Sequence, residues 1–113
     1  MEFQRSDRVA DLLREILAEL LHREIRDPRL QTVNMTGVKV THDLRHATVF
    51  FSVLGDSVGK REALAGLKSA AGFIRSKVAK QLKLRFVPSI EFVYDETEEK
   101  AQRIESLLRD VKS

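Results

Sequence analysis

Cysteine is absent from the 113 residues. That excludes disulfides and thiolate metal sites and points to a reducing compartment, the cytoplasm. No stretch approaches the ~18 consecutive apolar residues of a membrane span, and the opening "MEFQRSDRV" has no apolar run resembling a signal peptide. No linker, repeat or low-complexity tract interrupts the chain, so a single domain over 1–113 is expected, with a core over about 5–95 and a C-terminal helix over about 96–111. A chain of this length buries about two-thirds of its surface, enough for a core without metals or crosslinks.

Catalytic signatures are missing as well. There is no Gly-rich phosphate loop, no GxSxG elbow and no carboxylate pair in an apolar setting. His22, His42 and His46 are the only histidines. The i, i+4 spacing of His42 and His46 suits a metal only on a helix, and both fall in a predicted hairpin. Asp43 and Asp95 flank strand ends, where turn and cap roles are expected. The sequence predicts no enzyme, no metal and no cofactor.

What is present is a clear alternation of periods. Val9, Leu12, Leu13, Ile16, Leu20 and Leu21 recur at helical spacing, predicting a first helix capped by Ser6 or Asp7 and ended near Arg26 by Asp27-Pro28. "TVNMTGVKVT" alternates as a strand with a change of phase at Gly37, a bulge signal. "THDLRH" then reads as a hairpin connection into a second strand, Ala47 to Leu54, with Gly55 to Gly59 as a loop. From Lys60 a second helical stretch puts Leu64, Leu67, Ala71, Ile74, Val78 and Leu82 on one face, with Gly72 dividing it. A third strand, Ser89 to Tyr94, leads into a terminal helix with acids in its first turn and Ile104, Leu107, Leu108 and Val111 as its apolar positions. The expected fold is α+β, with helices on one face of a three-stranded sheet.

Net charge is +3, but its distribution is uneven. From Lys60 to Phe86 eight basic residues meet the single acid Glu62, while the segments on either side are neutral or slightly acidic. Such a stripe points to a polyanion partner. Glycine inside a helix costs roughly 1 kcal/mol relative to alanine, so Gly72 predicts a kink or the close approach of another backbone. Phe73 lies off the main apolar face; it either stacks on a base or fills the space beneath the kink, and the core role is favoured.

Four stretches carry a family resemblance. The order helix, strand, strand, broken helix, strand resembles type II KH domains, α-β-β-α-α-β RNA-binding modules with a GxxG loop between two helices. No GxxG occurs here; Ala70-Ala71-Gly72 is similar instead to the Ala-x-Gly kink of the ribosome-binding factor A family. "RDPRL" (Arg26 to Leu30), "VTHDLRHATVF" (Val40 to Phe50) and "LRFVPSIEFVYD" (Leu84 to Asp95) resemble further stretches of that family. The resemblance covers about Arg5 to Ile104.

It implies a type II KH-like domain with a kinked helix pair and a C-terminal helix packed on or near the sheet. It also implies a non-catalytic monomer that binds the free, immature 30S subunit and assists late maturation of 16S rRNA, including its 5′ end, with importance in the cold. Other assembly factors, including a small-subunit-dependent GTPase, are implied partners; membranes and cofactors are not. Many members carry a further C-terminal extension beyond the stretch corresponding to this chain. Carried over, Ala70, Ala71 and Gly72 with Arg75, Lys77, Lys80, Lys83 and Arg85 form the rRNA-facing element, and Arg29, Lys39 and Arg45 are secondary candidates. Two rival readings remain at this point: a general single-stranded RNA-binding KH module, and a protein adaptor docking through its acidic terminal helix.

Overall fold

The apolar periodicity of the N-terminal segment builds helix α1 (Arg5–Glu19), which presents Val9, Leu13, Ile16 and Leu17 to the interior. Its cap is Gln4 rather than Ser6 or Asp7. The Asp7 carboxylate accepts the Gln4 N–H at 3.1 Å, whereas Ser6 is buried in the first turn. Leu12, predicted inward, is exposed, and Leu17 takes the inner position, because the buried stripe is centred on Leu13, about 40° from Leu17 and about 100° from Leu12. The helix then widens into a π-helical turn, Leu20–Glu24, closed by the Ile25 N–H on the Leu20 carbonyl at 2.8 Å. That widening keeps Leu20 and Leu21 both fully buried. Pro28–Leu30 form a 3₁₀ turn capped by the Asp27 carboxylate, which accepts the Arg29 N–H at 3.0 Å.

The computed structural model describes residues 4–54 and 59–112, and side chains within these except 98–102 and 110–112. Gly55 to Val58, most of the predicted loop, and the Val111 side chain therefore lie outside the described residues.

Strands β1 (Val33–Val40) and β2 (His46–Val53) pair antiparallel, and β3 (Ser89–Tyr94) adds to β2 in parallel, giving the order β1-β2-β3. The bulge falls where the alternation slips. Met35 faces Phe51, Gly37 faces Phe50, and Thr36 is the extra residue. Val33, Ala47, Val49 and Phe51 turn inward, with Phe51 edge-on to Tyr94 at 5.6 Å.

Between β2 and β3 runs helix α2 (Lys60–Leu82), 23 residues without interruption through Gly72. The two helical segments of the α-β-β-α-α-β order are thus joined in one continuous helix, with no break at Gly72. A Cβ built at Gly72 meets nothing within 4 Å, so no neighbouring backbone requires glycine there either. The close approach lies at Gly66 instead, where a Cβ would stand 3.0 Å from Leu30 Cδ2 and 3.2 Å from Arg29 Cβ. Ala63, Leu67, Ile74, Val78 and Leu82 seal the core against α1 and the sheet, and Ala71, predicted inward, is exposed. The helix ends at Lys83, held in the left-handed region at φ 53°.

Helix α3 (Thr97–Lys112) follows β3. It was expected to pack on or near the sheet, yet its Ile104, Leu107 and Leu108 are each more than half exposed. The inner sheet face is already closed by α1 and α2, which leaves that apolar stripe nothing to cover there. The radius of gyration, 16.3 Å, exceeds the ~13 Å of a compact chain of this length, as a projecting element produces.

The β3–α3 junction is tied to the bulge. Asp95 accepts the Thr36 hydroxyl at 2.7 Å and the Thr97 N–H at 2.9 Å. Hydrogen bonds from the Thr97 side chain, the Thr36 hydroxyl and the Thr97 backbone lower its pKa to about 2. A carboxylate depressed in the folded state stabilises fully above its unfolded value and loses that contribution as pH falls through the folded one. Asp95→Asn is therefore expected to lower stability at neutral pH and to make the acid loss between about pH 4 and pH 2 shallower. Denaturant midpoints measured across that window check it, and parallel acid limbs for the two proteins would remove Asp95 from the balance.

Candidate nucleic-acid interface

The exposed side of α2 is built from a row of cations, a strip of small residues and one further lysine. At about 100° per residue, Arg61, Lys68 and Arg75 fall within about 40° of one another and form the first row. Ala65, Ser69, Gly72, Ser76 and Ala79 run beside it, and Lys80 stands on the far side. All of these are exposed. No acidic residue occurs between Ala63 and Phe86. The result is a shallow, uncrowded channel along the helix with positive charge on both margins. Lys68 and Arg75 also rim a hollow of about 400 Å³ between α2 and β3, floored by Leu67, Ile74 and Ile90.

The chain bend after α2 adds more charge. The Ser89 N–H donates to the Arg45 carbonyl at 2.8 Å, which brings the hairpin tip to the start of β3. Arg45 thus stands at the same end of the molecule as Lys83 and Arg85. The Arg85 guanidinium lies 5.5 Å from the ring of Phe86, itself 63% exposed.

The other predicted residues separate from this group to different degrees. Lys77 is half-buried, 3.8 Å from Glu24 and 5.5 Å from the Phe73 ring centroid. Arg29 is held by Asp27, its Nη2 2.7 Å from Oδ2 and its Nε 3.1 Å from Oδ1. The Arg29 guanidinium, with its backbone N–H, keeps the Asp27 carboxyl below its usual range, so this arginine's charge is largely answered within the chain. Lys39 lies on the sheet face away from the helices, 5.9 Å from the Phe50 ring centroid. Ala70 is half-buried and Ala71 exposed, flanking Gly72. Phe73, for which a core role was favoured, is 45% exposed, because its position falls just past the buried stripe.

Sequence reasoning passed over Lys68, Arg61 and Phe86. The signal for the first two was available, since positions 61, 68 and 75 repeat every seven residues. Phe86 had none, because its exposure follows from the turn after Lys83.

Among known proteins, the family model for ribosome-binding factor A matches residues 5–108. The chain belongs to the ribosome-binding factor A family. A Geobacter metallireducens ribosome-binding factor A is 45% identical over 111 residues, covering 98% of this chain and 94% of the relative. The crystal structure of ribosome-binding factor A from Thermus thermophilus superposes with a TM-score of 0.69 at 22% identity, covering 79% of this chain and 93% of that one. A Thermus thermophilus homology model fitted into the cryo-EM map of a 30S complex with the factor superposes with a TM-score of 0.64 at 22% identity, over 81% of this chain and 96% of that one. The fold is thus the KH-like α+β fold of the family, carried here with an unbroken α2.

Proposed function

We propose that this chain is a ribosome assembly factor that binds the small ribosomal subunit and assists its maturation. Family membership supports the reading, and the observation that carries it is the exposed face of α2, free of acids from Ala63 onward, with Lys68, Arg75 and Lys80 along its margins. Lys and Arg side chains there neutralise rRNA phosphates and release counterions, so binding weakens steeply with salt. The strip of Ala65, Ser69, Gly72 and Ser76 lets a sugar–phosphate backbone approach the helix closely. Lys83, Arg85 and Arg45 extend the contact around the end of the molecule, with Lys77, Arg29 and Lys39 as secondary contributors.

Because the charges sit on a rigid helix, folded RNA of matching shape is selected with little base readout. Preferring one rRNA conformation over another shifts the population of a maturing subunit without any covalent step. In this reading the protein acts as a monomer in the cytoplasm, on immature 30S particles late in 16S rRNA maturation, including that of its 5′ end. It works alongside other assembly factors, a small-subunit-dependent GTPase among them. No helix among the described residues is long and apolar enough to cross a membrane.

Co-sedimentation with purified 30S subunits, 70S ribosomes and a single-stranded RNA across a salt series tests the proposal. Pelleting with free 30S, much reduced with 70S and with the bare RNA, is the expected result. Preference for the bare RNA would favour a general single-stranded RNA-binding module. Binding to none of them would leave the exposed Ile104, Leu107 and Leu108 of α3 as the better lead to a protein partner.

A further inference from the structure

Phe73 has no place in the electrostatic account above. It is an aromatic ring left 45% exposed on a helix whose neighbouring exposed positions are small or cationic. Helical side chains lean toward the N-terminus. In keeping with that, Phe73 forms one wall of an open concavity of about 320 Å³ with Ser69 and Ala70 of the preceding turn. The opposite side is Glu24, Ile25 and Asp27, from the end of the π-helical turn and the segment after it. Lys77 Nζ lies over the ring, 5.5 Å from its centroid, and 3.8 Å from Glu24, which places positive charge on one face of the ring. Lys80 stands only about 20° around the helix from Phe73.

We propose that Phe73 is a stacking platform for a single unpaired base of the RNA bound along α2, a base-level contact that rests on the reading of α2 as an rRNA-binding face. A planar base stacks on the ring face that Lys77 leaves open, with the aliphatic surface of Ile25 and Ala70 around it. Its phosphates then fall toward Lys77 and Lys80. A base stacked within a duplex has no free face for the ring, so the base must come from a loop, bulge or end. Of the two rim carboxylates Asp27 is held at both oxygens by Arg29, whereas Glu24 has only the 3.8 Å contact from Lys77, so Glu24 is the one that meets a base, accepting its N–H and repelling a carbonyl oxygen. Bases bearing an exocyclic amine are favoured over uracil, guanine most, because its N1–H and N2–H₂ present two adjacent donors to one carboxylate. An apolar protein segment is the less fitting occupant, since it brings nothing to meet the flanking lysines.

The chain contains no tryptophan, so Phe73→Trp installs a single indole where the base is expected. RNA hairpins with purine loops, with uridine loops and with no unpaired residues serve as probes beside 30S subunits. Expected are fluorescence quenching of Phe73→Trp by the purine-loop hairpin and by 30S, little by the uridine loop, and none by the blunt duplex. Phe73→Ala is expected to bind purine-loop RNA and 30S roughly 5- to 100-fold more weakly, as loss of one base–aromatic stack implies, with the salt dependence unchanged. An exposed position leaves the fold intact, which thermal unfolding verifies. If Phe73→Ala binds like the parent while charge reversal at Lys68, Arg75 and Lys80 abolishes binding, the stacking site is wrong and the rRNA-binding face stands. If Phe73→Ala loses 30S but keeps hairpin binding, and Phe73→Trp is unquenched by RNA, the ring meets protein and the proposal falls. If the parent binds neither hairpins nor 30S, the functional reading fails and the stacking site with it.

Discussion

Replacing Lys68, Arg75 and Lys80 together with glutamate is expected to lower affinity for the 30S subunit on the order of 100-fold, and to flatten the salt dependence by about three phosphates' worth of slope. All three side chains are exposed, and none takes part in an ion pair within the chain among the described residues. Their removal therefore sacrifices no internal ion pair, and stability should hold or change by only a few tenths of a kcal/mol. Reversal at Arg29 should do much less to binding and more to stability, because its charge already answers Asp27. Binding curves at several salt concentrations, for the triple variant and for Arg29→Glu, give the comparison. Equal losses from the two would mean that α2 has no special standing.

Gly66→Val is expected to destabilise the protein by about 3 kcal/mol, on the order of 10 °C in Tm. Even a Cβ at this position would press on Leu30, fully buried, and on Arg29 Cβ, which the 3₁₀ turn holds in place. Leu30 is fully buried and Arg29 is anchored through Asp27, and valine adds two methyl groups to the same gap. Gly72→Ala on the same helix should go the other way, stabilising by about 1 kcal/mol through helix propensity alone, since its Cβ enters open space. The alanine methyl also stands on the strip where an RNA backbone would come closest, so tighter folding with weaker 30S binding is the expected signature. Thermal melts of the two variants side by side decide the matter. A destabilised Gly72→Ala would mean that the helix is not regular at that point.

These two glycines show what a sequence can and cannot display. Both interrupt an otherwise good helix former, and only Gly72 attracts notice, because it sits in the Ala70-Ala71-Gly72 stretch with Arg75, Lys77 and Lys80 close behind it. The need for Gly66 arises from Leu30, distant in sequence and brought near by the fold, so nothing local marks it. The strands were legible because period-two alternation survives in Val33, Met35 and then Val38, Val40, and the slip at Gly37 is written in that same alternation. The π-helical turn left no trace, since Leu20 and Leu21 fit an ordinary helix equally well. Terminal helix α3 was legible as a helix but not in its placement, because an apolar stripe states that something covers it and not what. In the candidate site, the identity of Arg75, Lys80, Lys83 and Arg85 as exposed cations followed from spacing. The exposure of Phe73 did not, because its angle falls at the border between buried and open sides.

The parallel pairing of β2 with β3 has a consequence for how the molecule is made. His46 pairs with Ser89 and Phe51 with Tyr94, so the whole of α2 must be synthesised before either contact can form. Helix α1 and the β1–β2 hairpin are local and can assemble as they leave the ribosome, but β2 then waits with an unpaired edge. Closing a long loop before its contacts reward it makes such docking late and comparatively slow. Since α2 is the connector inside that loop and packs on β3 as well as on α1 and the Pro28–Leu30 turn, its cationic side is fully fixed only when β3 arrives. A nascent chain cut short of Tyr94 would carry every charge of the interface and still not present it.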